Sequence, residues 1–319
     1  MEIMEKIFDV LVVGELNVDL ILDKIDAFPE IGKEIISERM TITLGSSSAI
    51  FASNLSTLGA KVRFVGKVGQ DSFGDHVIAS LQSRGVNTEY IFRSSGHATG
   101  ATVVLNYGED RAMITYPGAM KHLTIYDIPD VAFTTCHHLH LSSIFLQPGI
   151  AGDLIALFKK AKSLGLTTSI DPQWDPSERW EIALYELLPY VDVFMPNIQE
   201  LCALTKTTNF PDALNVLKPH GNVIVVKNGS EGAFLWDGHL LTHQKPFLNK
   251  KVADSIGAGD SFNSGFLYKY LRKESLTDCL EFGALTGAVN TTRSGGTGAF
   301  ENLDLVKSIA KSAFNYTLT

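Results

Sequence analysis

The chain has 319 residues, a length that suits one large α/β domain or two ordinary ones. Hydrophobic residues make up 45% of it and charged residues 19%, which is the composition of a soluble globular protein. The formal net charge is −8 and no stretch clusters Lys and Arg, so we expect no nucleic-acid or anionic-membrane partner. No run approaches the roughly 20 apolar residues of a membrane span, and the first residues lack the apolar core of a signal peptide. With three widely spaced cysteines, we expect a cytoplasmic protein without a disulfide framework.

Short β-rich runs alternate with helical patterns along most of the chain. In chain order, the patterns predict a strand over 8–14, a helix over 46–58, a strand over 62–66, a helix over 71–84, a strand over 139–141, a helix over 152–164, and strands over 167–170, 191–195 and 223–226. Strands separated by helices imply βαβ units and a mainly parallel sheet. The sequence therefore predicts an α/β fold, a doubly wound sheet with helices on both faces.

Two segments interrupt this alternation, at about 17–44 and 99–116. Both show strand-like alternation without an intervening helix, as in the run Thr102 to Tyr107. They predict a small sheet that projects from the main domain as a candidate lid. Since no linker or internal repeat is visible, we expect one domain over residues 1–319.

The segment from Asp254 to Phe262 carries the most specific signal in the chain. It places two carboxylates around the turn Gly257, Ala258 and Gly259, and then continues into a helical pattern. Glycines allow a tight turn, and a helix that begins there offers unpaired N–H donors and the positive end of its dipole. This arrangement favours an anion, above all a phosphate. Asp260 stands at the rim of the turn, where a base could take a proton from an attacking hydroxyl.

The same segment resembles the D-T-x-G-A-G-D signature of the ribokinase-like (PfkB) carbohydrate kinases, with Ser255 in the Thr position. The resemblance extends from about Gly14 to the C-terminus. It implies ATP-dependent phosphoryl transfer, with Asp260 as the catalytic base and the backbone of residues 257–259 as the anion hole. A P-loop string and a strand followed by G-x-G-x-x-G are both absent from the sequence, which disfavours those two nucleotide-binding classes.

Three further segments, which contain Glu200, Lys227 and Asn290, correspond by this resemblance to the nucleotide and metal sites. Asn197 and Glu200 match an N-x-x-E element in which Glu200 holds Mg²⁺ through waters and Asn197 supports the triphosphate; the alternative is a helix start with an exposed Glu. Lys227 and Gly229 match a nucleotide loop, although a simple hairpin fits equally well.

The segment from Asn290 to Gly298 lies where relatives shape the adenine pocket and a site for K⁺. Asp254 could ligate K⁺ together with backbone carbonyls, and a glycine-rich connection without an ion is equally open. The run Cys136 to His140 invites a zinc interpretation, but adjacent histidines on a strand point to opposite faces, so strand packing is preferred.

For the acceptor, the resemblance points to Asn17, Asp19 and Gly45. A carboxylate such as Asp19 can accept hydrogen bonds from two neighbouring hydroxyl groups of a sugar. Two departures from the family pattern affect this site. Ser46 and Ile50 replace the second Gly and the Asn of G-G-x-x-x-N, and residues 171–175 lack the Arg of D-x-N-x-R. Without that cation, a neutral acceptor is favoured over an anionic one.

The sequence thus predicts an ATP- and Mg²⁺-dependent sugar kinase that acts on a small neutral carbohydrate. One alternative is a nucleoside kinase of the same fold, in which Phe28 or Tyr107 of the lid would stack on a base. Another, from a different class, is a non-catalytic nucleotide- or sugar-binding regulator, which would not need Asp260. Exposed strand edges in the lid and the family resemblance lead us to expect a homodimer through the lid.

Overall fold

The structure is a computed structural model that describes residues 5–25, 27–107 and 110–318. The strands found there are β1 (Phe8–Val13), β2 (Asn17–Ile25), β3 (Ser37–Leu44), β4 (Val62–Gly69), β5 (Asn87–Ser94), β6 (Gly100–Tyr107), β7 (Asp110–Tyr116), β8 (Cys136–Ser142), β9 (Thr167–Asp171), β10 (Val193–Phe194), β11 (Val223–Lys227), β12 (Ala233–Trp236) and β13 (Leu241–Gln244). The α-helices are α1 (Ser47–Thr57), α2 (Ser72–Ser83), α3 (Asp130–Thr134), α4 (Pro148–Ala151), α5 (Leu154–Ser163), α6 (Leu184–Leu187), α7 (Ile198–Thr205), α8 (Phe210–Leu217), α9 (Ala258–Tyr270), α10 (Leu276–Asn290) and α11 (Leu303–Phe314).

The larger sheet has nine strands in the order β13-β12-β11-β10-β9-β8-β1-β4-β5. The pairs from β11 to β5 are parallel, and β12 and β13 are added antiparallel at one edge. In a parallel sheet, the carboxyl ends of all strands lie along the same edge, which is where α/β proteins bind their ligands.

Successive residues of the strands belong to different hydrophobic clusters, which shows that helices cover both faces of this sheet. Val10 packs in the cluster that includes Phe51 of α1, whereas the next residue, Leu11, packs in the cluster that includes Phe158 of α5. Burial of each such side chain contributes about 1.5–3 kcal/mol. The predicted doubly wound fold is confirmed.

The smaller sheet has four strands in the order β3-β2-β6-β7. Its strands come from the two segments predicted at 17–44 and 99–116, so the prediction of a separate small sheet is confirmed. Ile21 and Val104 of this sheet form a buried cluster with Ile256. The small sheet therefore contacts the segment from Asp254 to Phe262 that resembles the family signature.

Local sequence signals set several helix boundaries. Ser46 and Asp71 accept hydrogen bonds from the first-turn N–H groups of α1 and α2, as expected of N-cap residues. On β8, His138 and His140 are buried on one face and His137 is exposed on the other. Within the described residues, no group of three or more His, Cys, Asp or Glu could hold a metal ion. In the same part of the chain, no helix is both long and apolar enough to cross a bilayer.

Candidate active site

The turn before α9 is built to receive an anion. Gly257 has a φ of 72°, and a Cβ added to it would lie 2.6 Å from the Cα of Gly296. Only glycine therefore fits this position without strain. The backbone N–H groups of Gly257, Gly259 and Asp260 donate no hydrogen bond within the described part of the chain. These donors, at the N-terminus of a 13-residue helix, form a site suited to a phosphoryl group.

Two of the predicted site residues support this turn. The carboxylate of Asp254 accepts hydrogen bonds from the N–H groups of Ile256 and Gly295, each at 2.9 Å. The amide of Asn290 donates to the carbonyl oxygen of Ile256 at 2.6 Å. Asp254 and Asn290 thus connect the turn to α10 and to the loop after it, while Oδ1 of Asn290 is buried without a hydrogen-bond partner among the described residues.

Asp260 lies in the first turn of α9 and is buried. Its Oδ1 accepts a hydrogen bond of 3.0 Å from Nε2 of Gln173. Burial, together with the negative charge of Asp171, raises the pKa of Asp260 from 3.8 to about 7, although Lys227 and the Ser47 side chain favour the ionised form. A carboxyl group that titrates near neutral pH is suited to general-base catalysis.

A buried ion pair joins β9 to β11 beneath the turn. Oδ2 of Asp171 accepts hydrogen bonds from Nζ of Lys227, from Nδ2 of Asn263 and from Nε2 of Gln173. Burial alone would lower the pKa of Lys227, but Asp171 and Glu200 outweigh it and raise that pKa. The ammonium group therefore stays charged.

The ammonium of Lys227 also faces the anion-binding turn. A Cβ added to Gly259 would lie 3.6 Å from Nζ of Lys227, so the ammonium group lies beside the turn. A fixed cation beside the N–H donors would stabilise a phosphoryl group bound to them.

Asn197 and Glu200 form a capping box at the start of α7. The side chain of Asn197 accepts from the Glu200 N–H at 2.9 Å, and the Glu200 carboxylate accepts from both the backbone and the side-chain N–H of Asn197. The alternative of a helix start at Asn197 is confirmed, but its exposed Glu was wrong, because Glu200 is buried. Burial and then Asp171 raise the pKa of Glu200 to about 7.

Lys227 and Gly229 lie at the connection from β11 to β12, which pair as an antiparallel hairpin. Gly229 has a φ of 52°, and no atom lies within 4 Å of an added Cβ, so its open side could admit a ligand. The hairpin and the nucleotide-loop interpretations are therefore compatible.

The three predicted acceptor residues meet at one place. A Cβ on Gly45 would collide with Oδ1 of both Asn17 and Asp19, so Gly45 leaves room for these side chains. Asn17 donates to Oγ1 of Thr102 at 2.6 Å, and its own Oδ1 is buried without a hydrogen-bond partner among the described residues. Burial and then Asp254 raise the pKa of Asp19 to about 7, opposed by Arg111.

Ser46 and Ile50, the two residues at which this chain departs from the family pattern near the start of α1, have distinct structural surroundings. Ser46 has a φ of 71°, an unfavourable value for a residue with a side chain, at the position where relatives have glycine. Ile50 is buried against the turn, and its Cγ2 would lie 3.1 Å from a Cβ on Gly257. Ile50 therefore packs under the anion-binding backbone.

Four buried or half-buried polar residues at this site were not among the predicted site residues: Glu15, Asp171, Gln173 and Asn263. Glu15 is buried, its Oε1 accepts from the N–H of Ser48 at 3.0 Å, and burial raises its pKa. A signal for Asp171 was available, because it ends a buried strand at the ligand-binding edge of the sheet. Asn263 looks like an ordinary helix residue, and nothing local distinguishes it.

The chain is similar to known proteins over most of its length. The family model of the pfkB family carbohydrate kinases matches residues 8–303. A protein described as an uncharacterized sugar kinase from Archaeoglobus fulgidus is 31% identical over 235 residues, which cover 73% of this chain and 92% of that protein.

Solved structures share the fold over nearly the whole chain. The ribokinase of Arabidopsis thaliana, complexed with ribose and ATP, superposes with a TM-score of 0.82 at 24% identity, covering 97% of this chain and 99% of that one. The adenosine kinase of Sinorhizobium meliloti gives a TM-score of 0.84 at 23% identity, and the superposition covers 96% of this chain and 99% of that one. At this level of identity the two superpositions show the ribokinase-like fold alone, whereas the family model covers the chain from β1 to the start of α11. The chain belongs to the pfkB family of carbohydrate kinases.

Proposed function

We propose that this protein transfers the γ-phosphoryl group of ATP to a hydroxyl group of a small, neutral carbohydrate. The observation that carries the proposal is the juxtaposition at the start of α9. There, free N–H groups of Gly257 and Gly259 lie beside the buried carboxyl of Asp260. An anion site next to a base is what phosphoryl transfer to an alcohol requires.

In the proposed reaction, Asp260 in its ionised form accepts the proton of the acceptor hydroxyl. The hydroxyl oxygen forms a bond to the γ-phosphorus while the bond from that phosphorus to the β-phosphate oxygen breaks, and ADP leaves with the electron pair. The N–H groups of the turn and the Lys227 ammonium hold the negative charge of the transferring group. Asp260 then releases its proton to solvent.

The residues around Lys227 fit a nucleotide with Mg²⁺. Mg²⁺ takes few carboxylates besides phosphate oxygens and retained waters, and Glu200 offers one carboxylate close to the Lys227 ammonium. Asn197 lies next to Lys227 through an isolated β-bridge, within reach of the same region. When bound, Mg²⁺ would neutralise phosphate charge. A K⁺ ion at Asp254 would have to share a carboxylate that already accepts two backbone N–H groups.

The acceptor region supports a neutral substrate. Asn17 and Asp19 present an unpaired amide oxygen and a carboxylate, both of which accept hydrogen bonds from hydroxyl groups. Asp175, at the position where relatives have Arg, bonds to Ser177 and to the N–H of Trp180 and so supports its own loop. Arg111 of β7 donates to Oγ of Ser255 at 2.5 Å.

The test is an ADP-release assay with D-ribose, D-fructose, a sugar acid and adenosine as acceptors, with mass analysis of each product. We expect one of the neutral sugars to be phosphorylated with the highest kcat/KM. ATP binding without transfer to any acceptor would favour the regulator, and preference for the sugar acid would overturn the neutral-acceptor assignment. Asp260→Asn serves as the matched inactive control.

A nucleoside kinase is the second candidate, favoured by an aromatic pair formed by Phe28, in the connection from β2 to β3, and Tyr107 of β6. The rings of Phe28 and Tyr107 stack with centroids 5.7 Å apart, and Phe28 is 68% exposed. An exposed ring can stack on a nucleobase. Phosphorylation of adenosine in preference to the sugars would establish this alternative.

The small sheet is proposed to act as a lid and as a dimer surface. Its contact with the anion-binding segment through Arg111 and Ile256 is a geometry that closure would produce. Several of its apolar side chains are exposed, among them Met40, Met113 and Ile114. Light scattering after gel filtration tests the homodimer, which Ile114→Lys should dissociate.

A further inference from the structure

Gln173 occupies an unusual backbone position beside the proposed base. It follows β9 by two residues and has a φ of 58°, in the left-handed region that residues with a side chain seldom adopt. Its backbone N–H donates to Oδ1 of Asp171 at 3.3 Å. Strained conformations of this kind persist where the surrounding contacts hold them, and they concentrate at functional sites.

The side-chain amide of Gln173 connects the two central carboxylates. Its Nε2 lies 3.0 Å from Oδ2 of Asp171 and 3.0 Å from Oδ1 of Asp260. A primary amide has two N–H donors, so both are used in these contacts. The orientation of the amide plane is thereby determined, and Oε1 makes no hydrogen bond to any residue that the structure describes.

Because the amide plane is set by its two donors, the position of Oε1 is set as well. Gln173 is half-buried, so this oxygen is accessible rather than enclosed. It belongs to the side chain that touches Asp260, and the acceptor hydroxyl must also approach Asp260. A second hydroxyl on the acceptor could therefore donate to Oε1, whereas a carboxylate or phosphate has no proton to donate and would be repelled.

We propose that Gln173 is both a positioning and a specificity-determining residue, whose Nε2 orients Asp260 and whose Oε1 accepts a hydrogen bond from a second acceptor hydroxyl. This inference rests on the proposed kinase function. It narrows the substrate class to polyols and sugars that carry an uncharged hydroxyl close to the phosphorylated one.

The hydrogen bond from Gln173 favours the ionised form of Asp260, so its removal should raise the pKa of that carboxyl. The other groups that act on Asp260 come from separate elements and stay in place. They are Asp171 of β9, Lys227 of β11, Glu15 after β1 and Ser47 of α1.

The test compares wild type with Gln173→Ala and Gln173→Asn, using the preferred sugar from the acceptor panel and its set of monodeoxy analogues. The analogue that lacks the phosphorylated hydroxyl cannot react. Among the other deoxy analogues, we expect one to have a kcat/KM about tenfold lower than that of the parent sugar with the wild type. In Gln173→Ala that loss should fall below about threefold. The acid limb of the pH–rate profile should also move to higher pH in Gln173→Ala.

Gln82→Ala is the matched control, because Gln82 is an exposed glutamine of α2 whose side chain donates to Thr88 and makes no other hydrogen bond among the described residues. Its discrimination and pH profile should equal those of the wild type. If Gln173→Ala slows all analogues equally and leaves the acid limb in place, the residue is merely structural and the inference is wrong. Gln173→Asn, which keeps the amide but shortens it, provides the same comparison if the Ala variant does not fold. A wild type that phosphorylates no sugar overturns the proposed function, and this inference with it.

Discussion

Replacement of Asp260 by Asn should abolish catalysis and at the same time stabilise the protein. The carboxyl is buried, and its pKa is raised from 3.8 to about 7, chiefly by burial and then by Asp171. Because the pKa of Asp260 is higher in the folded than in the unfolded state, the folded protein holds this proton more tightly. The free energy of unfolding is therefore highest below about pH 4 and falls as the pH rises towards about 7. Asn has nearly the same shape, and its Oδ1 can still accept the hydrogen bond from Gln173.

The magnitude follows from the size of the pKa shift. A shift of about three units at roughly 1.4 kcal/mol each corresponds to ~4 kcal/mol, which the ionised carboxylate costs the folded state above about pH 7. At about pH 5 the cost is only ~1.5 kcal/mol, since only the interval from 3.8 to 5 contributes. We therefore expect Asp260→Asn to gain more in free energy of unfolding at about pH 8 than at about pH 5, with an upper bound of ~4 kcal/mol.

Denaturant unfolding of both proteins at the two pH values measures this gain, and steady-state kinetics measure the loss of kcat, which we expect to be ~10²–10⁴-fold. Calorimetric titration should show that ATP binding is retained or improved, because a negative charge is removed. Asp237→Asn is the control with the opposite sign. Backbone N–H groups of Leu240 and His239 lower the pKa of Asp237, so its replacement should destabilise the protein above about pH 4. A kcat within tenfold of wild type would refute the base assignment, and an equal gain at both pH values would refute the raised pKa.

Three further variants test other parts of the site. Gly257→Ala should lower kcat/KM by roughly 10²-fold, because the φ of 72° and the contact with Gly296 force the N–H donors to move; unchanged kinetics would contradict their role. Lys227→Met should lower the free energy of unfolding by about 3–5 kcal/mol in chemical denaturation, because Asp171 stays buried without its cationic partner. The added change Asp171→Asn should restore part of that stability. An additive loss in the double variant would argue against the ion pair. Glu200→Gln should raise the Mg²⁺ concentration for half-maximal rate by about tenfold in a metal titration, and an unchanged requirement would remove Glu200 from the metal site.

Much of the local architecture follows from sequence patterns, because those patterns act over a few residues. Alternating buried strands and amphipathic helices predict the parallel sheet, and the strand-like segments at 17–44 and 99–116 predict the small sheet. Asn197 and Glu200, three positions apart, have the spacing of the capping box that the structure forms. The anion-binding turn before α9 could also be predicted, since glycine geometry and unpaired helix N–H groups are local properties.

Contacts between distant parts of the chain could not be read in this way. Asp171, Lys227 and Asp260 are far apart in sequence, and only the arrangement of β9, β11 and α9 brings them together. The pKa of Asp260 depends on how deeply the carboxyl is buried and on which charges surround it, and neither quantity is encoded by its neighbours along the chain.

The sequence by itself determined the family signature, the glycine turn before α9 and much of the alternation of strands and helices, because each depends on residue type and short spacing. Only the tertiary structure decided that Asp254 and Asn290 support that turn, that Ile50 packs beneath it, and that Gln173 contacts Asp260. The physical reason is that hydrogen bonding, burial and charge interaction depend on distance in space, and here the start of α9 lies against the carboxyl ends of β9 and β11.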